Sequence, residues 1–148
     1  MTPKVSEVLA ELAGLIARNA LPDVDPADRA SALGLSALLL GVAAQEWDRA
    51  AARLVEENTA VRALLSDAPA ALGEGELAER LWALSAGRDE DLRISALEEA
   101  NATLRAALIE LHVAVEGRGQ PVARALDAAI WAELVASTER RQLAGAPV

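Results

Sequence analysis

Residues 90–116 read EDLRISALEEANATLRAALIELHVAVE, and this stretch decides the fold. Ile94, Leu97, Asn101, Leu104, Leu108, Leu111 and Val115 follow one another at spacings of 3-4-3-4-3-4. That alternation puts all seven on one stripe of an α-helix, like a coiled-coil seam with one polar member. Ala102, Ala106, Ile109 and Val113 form a second stripe away from the first. A helix with two apolar stripes is expected to be central, with neighbours on two sides.

The segments around it read as helices too. Gly117-Arg-Gly-Gln-Pro121 stops one helix and starts the next, expected over Pro121–Leu143. Upstream, Asp89 is expected to cap the 90–116 helix, and Gly87 to end a short one over Gly75–Ala86. Asp67–Gly75 reads as a break. Before it, Asp25-Pro26 opens a helix that continues to Ser66, some 40 residues or ~60 Å if straight. A bend at Gly34 or Gly41, or an elongated bundle, would accommodate that length. Thr2-Pro3 opens the first helix, ending near Asn19, with Val5, Val8, Leu9, Leu12, Leu15 and Ile16 on one stripe. The 25–66 helix carries its own heptad series: Leu33, Ala37, Leu40, Ala44, Trp47, Ala51, Leu54, Asn58, Val61 and Leu65. Ala30, Gly34, Ala37, Gly41 and Ala44 beside it form a groove of small residues that would let another helix approach closely.

Composition agrees with this pattern. The 148 residues include 35 alanines and 24 leucines, no Phe, no Tyr and three Trp. Good helix formers dominate and strand-favouring aromatics are nearly missing. The expectation is an all-α bundle of about five helices, four long and one short, packed up and down as one domain over residues 1–148.

The same composition excludes several chemistries. With no Cys there are no disulfides, thiolate nucleophiles or cysteine metal sites. A net charge of −9 without a basic run argues against a nucleic-acid surface. The longest uncharged run, Ala30–Gln45, is 16 residues, short of the roughly 20 that span a bilayer. The run reads as a buried helix of a cytoplasmic protein, and the single Lys4 argues against a helix that coats membranes. There is no phosphate-binding glycine loop and no serine elbow. Arg118 beside Gly119 reads as a polar turn, with an anion at the following helix N-terminus as the alternative.

His112 is the only histidine, with Glu116 one turn on. The two are weak candidates for general acid–base or metal chemistry, against a plain histidine flanking the seam. No metal ligand set and no cofactor is expected. Glu56-Glu57 and Glu98-Glu99 read as solvated faces, and Arg140-Arg141 as complements to a helix C-terminus. Trp47, Trp82 and Trp131 read as core or interface anchors, or as the lining of a small apolar ligand pocket.

Function therefore reads as association. The two series predict a homodimer through Leu33, Ala37, Leu40, Ala44, Trp47 and Asn58, or through Ile94, Leu97, Asn101, Leu104, Leu108 and Leu111. Asn58 and Asn101 are expected at different heights of the bundle, unable to pair within one chain. On that reading Asn101→Leu gains stability and loosens the oligomeric state. The protein is expected to be a non-enzymatic scaffold. The alternative is a bundle that binds a small apolar ligand or a metal near His112 and Glu116.

Overall fold

The computed structural model describes residues 5–20 and 27–142. The described residues are helical apart from short connections, and no strand occurs among them. Helix α1, Val5–Leu15, runs on into a π-helical turn, Ile16–Ala20. The others are α2, Ala27–Ser66; α3, Ala68–Leu72; α4, Glu76–Ser85; α5, Ile94–Val115; and α6, Pro121–Arg140. The expected starts at Thr2-Pro3 and Asp25-Pro26 lie outside the described residues, as does Leu143. Contacts gather the chain into two compact units that divide after Ala50, the second being Ala51–Gln142.

In the first unit the stripe of α1 is half open, with Val8, Leu12 and Leu15 exposed. Leu33, Ala37 and Leu40 of α2 are half-buried and Ala44 is buried, while Leu35, Leu38, Leu39 and Trp47 are exposed. The first half of α2 is thus not buried all round, contrary to the expectation from its uncharged run. A Cβ at Gly41 would meet open space, so no helix backbone closes on the small-residue groove there among the described residues.

The second unit holds a continuous core. Val61 and Leu65 of α2 meet Ala68 and Ala71 of α3 and Leu81 of α4. Leu104, Ala107, Leu108, Leu111 and Val115 of α5 and Ala123, Leu126 and Ile130 of α6 complete it. Six of the seven seam residues of α5 are buried, and Ile94 is half-buried. The seam is therefore closed by the chain's own helices.

Local chemistry explains the boundaries. Pro121 opens α6, where its missing N–H has no helical partner to lose. Gly117 ends α5 at φ +75°, which a side chain rarely adopts, and Arg118 N–H donates back to Val115 O. The expected break at 67–75 contains α3, one turn with Pro69 in its first turn and Gly73 (φ +82°) after it. Arg118 secures that turn by donating to the Ala71 and Leu72 carbonyls, which closes α3's open end. Helix α5 starts at Ile94, four residues later than expected, because Asp89 is drawn into a buried ion pair instead of capping it.

Leu111→Ala, at a fully buried position, is expected to lower unfolding stability by about 2–5 kcal/mol. Trp82→Ala, at a side chain 58% exposed, is expected to stay within about 1 kcal/mol. Urea denaturation followed by circular dichroism checks both.

Candidate functional site

The densest polar chemistry of the second unit is a buried network that joins α2, α5 and α6. At its centre is Glu57, which is only 1% exposed and not part of a solvated face. Arg141 grips it with two bonds, Nε to Oε1 at 3.0 Å and Nη2 to Oε2 at 2.6 Å. Ser137 donates to Oε1 at 3.2 Å, and the Arg105 guanidinium lies 3.9 Å from Oε2 while donating to Ser137. Asn101 donates to Oε2 at 3.4 Å and to the Asn58 carbonyl oxygen at 2.9 Å.

The two asparagines expected at different heights are thus direct partners within one chain. Asn58 donates in turn to both oxygens of Asp89 and to the Leu97 carbonyl. Arg62 holds Asp89 by a parallel pair of bonds at 3.0 and 2.7 Å. The network therefore runs from Arg141 through Glu57, Asn101 and Asn58 to Asp89 and Arg62.

Its electrostatics follow from this inventory. Burial pushes the Glu57 carboxyl up, but the Arg141 bonds and charge, the Ser137 hydroxyl and the Arg105 charge outweigh it and leave it below its ordinary value. Asp89 is held down by Arg62 against burial, with help from Asn58. Glu133 goes the other way. Burial is the largest influence and raises it, and with the Glu57 charge it outweighs the lowering by Arg140 and Arg105.

His112 does not pair with Glu116, which is exposed. Its Nε2 lies 3.1 Å from Asp127 Oδ1 on α6, and its ring meets Trp131 edge-on at 5.2 Å between centroids. The slot beside it, lined by Arg105, Leu108, Ile109, His112, Ile130 and Leu134, has a volume of about 60 Å³. Small-molecule sites are typically ~300 Å³ or more. A broader depression of about 350 Å³ lies where Leu84, Gly87 and Arg88 face Ala96, Ala100 and Leu104 of α5. It contains neither His112 nor a tryptophan. Among the described residues no three His, Asp or Glu side chains converge as a metal site. The hydroxyls of Ser36, Thr59, Ser66, Ser85, Thr103 and Thr138 donate to backbone carbonyls and Ser137 to Glu57, so none of these is set on His112 as a nucleophile.

None of the three tryptophans is a core anchor. Trp47, Trp82 and Trp131 are 57%, 58% and 56% exposed. The second stripe of α5 is also uncovered, with Ala102, Ala106, Ile109 and Val113 all exposed. The network residues Glu57, Ser137 and Arg141 are absent from the sequence-predicted set. Their spacing carries a signal: Leu54, Glu57, Val61 and Leu65 share one helical face, and Ile130, Leu134, Ser137 and Arg141 share another.

No protein-family model, curated protein or solved structure matches the chain.

Asn101→Leu now has the opposite expectation from a seam position. It strips a donor from Asn58 and Glu57 and should destabilise by about 1–3 kcal/mol, measured by urea denaturation. The pH dependence has two limbs. A raised Glu133 binds its proton more tightly in the folded state, so stability rises as pH falls from neutral through its folded pKa. Below the ordinary carboxylate range, protonation of Glu57 and Asp89 removes their lowered-pKa contribution and stability falls. A melting temperature that peaks at mildly acid pH is the expected outcome. A monotonic decline from neutral pH would contradict it.

Proposed function

We propose that the protein is a non-enzymatic helical scaffold that acts by protein association, first of all with a second copy of itself as a homodimer. The observation that carries this reading is the position of the aromatics. A chain with three aromatic residues leaves all three more than half exposed. Tryptophan is the side chain most enriched at binding hot spots, where its large apolar surface is removed from water by a partner. Exposed Leu35, Leu38, Leu39, Ile109, Val113 and Val135 extend the same argument to aliphatic surface.

Two features favour association over catalysis, and a third disfavours a nucleic-acid partner. His112 is engaged by Asp127 and Trp131 beside a slot too small for a typical substrate. The buried carboxylates of the network are held by arginine and amide donors, an arrangement that fixes helices. The net charge of −9 is unfavourable for a phosphate backbone. No helix among the described residues is long and apolar enough to cross a membrane.

Self-association of chains carrying −9 each is opposed by repulsion, so salt should strengthen it. Sedimentation velocity at micromolar concentration is expected to show a dimer whose share grows as salt rises from about 50 mM to about 500 mM. Tryptophan emission is expected to shift to the blue with protein concentration as the exposed rings lose water. A monomer at every concentration and salt, with constant emission, overturns the proposal.

A further inference from the structure

We infer that the dimer, taken on the reading above, forms through the outer stripe of α5, set antiparallel against the same stripe of a second copy. Ile109 and Val113 are 66% and 69% exposed on a helix whose opposite face is fully committed to the core. Ala102 and Ala106 continue the stripe and are exposed as well. The occupant is argued from the pattern itself. The spacing 102-106-109-113 is 4-3-4 and reads the same in both directions. A two-fold axis between Ala106 and Ile109 therefore brings Ala102 opposite the second copy's position 113, and Ala106 opposite its position 109. Small side chains meet large ones at every level, so the face complements itself in volume. An isologous contact requires this property, because each residue must fit the image of another on the same surface.

Area supports the same occupant. Trp131 and Val135 of α6 are 56% and 58% exposed, and Trp131 packs on His112, which together with Ile109 lines the α5–α6 slot. Trp131 thereby extends the apolar stripe from α5 onto α6. The four large side chains offer roughly 100 Å² each. Together they offer about 400 Å², about half of the ~800 Å² per partner of a standard interface, which suits a weak, concentration-dependent dimer. Exposed Glu99 and Glu116 close the two ends of the stripe, and the two-fold sets each opposite the other, acid beside acid at its edge. The contact is apolar at its centre and repulsive at its border, and salt strengthens it.

The chain has no cysteine, so single-cysteine variants of the full protein report the register directly. Ala102→Cys mixed with Val113→Cys is expected to give a covalent heterodimer under mild oxidation. Either variant alone should cross-link poorly, since its two copies sit 11 residues apart along the antiparallel pair, ~16 Å, against the ~6 Å between Cα atoms that a disulfide needs. Efficient self-cross-linking of Ala102→Cys would show a parallel pair and overturn the register. Ile109→Glu, at an exposed position, should keep the helical circular-dichroism spectrum and cooperative unfolding of the wild type and sediment as a monomer at concentrations where the wild type is a dimer. A wild-type dimer that survives Ile109→Glu and gives no mixed cross-link overturns this surface and leaves the association reading standing. A wild type that is monomeric throughout overturns both.

Discussion

Glu57 is an ionised carboxylate with almost no access to water, and the second unit is organised around meeting that demand. A buried charge is tolerated only with charge-assisted hydrogen bonds, and no single helix can supply them here. Asn101 comes from α5, and Ser137 comes from α6 with Arg141 just past its end. The three helices must therefore sit at one relative translation. The apolar core alone does not impose this. It is built of leucine and alanine, and a repeat of similar side chains can slide by a heptad and still bury itself. The network breaks that degeneracy, at the cost in stability that buried polar groups carry.

Much of the architecture is legible in the sequence because it depends on local chemistry. Pro121, Gly117 and Gly87 mark helix ends within a residue or two, and the 3-4 spacing of α5 marks the face that is buried. The failures have a common origin. Asp89 has the spacing of a cap, yet Arg62 lies 27 residues away in sequence and offers a stronger partner. Glu57 sits beside Glu56 and looks solvated, but Arg141 is 84 residues distant. Ideal up–down registration would set Asn58 and Asn101 at different heights. The actual offset of α2 against α5 is set by tertiary contacts, which no helix encodes by itself.

The candidate functional surface was legible in a different sense. The second stripe on α5 is visible as a pattern, and so is the need for something to cover it. What the pattern does not reveal is which stripe the chain covers itself. The regular seam, with its buried asparagine, has the look of an oligomer contact, yet its polar member is satisfied internally by Asn58 and Glu57. The shorter stripe, with small residues at one end and large at the other, remains open to water. The tryptophans follow the same division. The buried core is made of leucine, alanine, valine and isoleucine, and all three rings lie on the surface.

The central claim is that Glu57 is charged inside the fold because donors from α5 and α6 hold it. A carbon-13 NMR titration of the Glu57 side-chain carboxyl tests this most directly. The expected result is a midpoint below the 4.5 of an ordinary glutamate, rising when Arg141 is replaced by Gln. A midpoint at or above the ordinary value in the native protein, unmoved by Arg141→Gln, would contradict it.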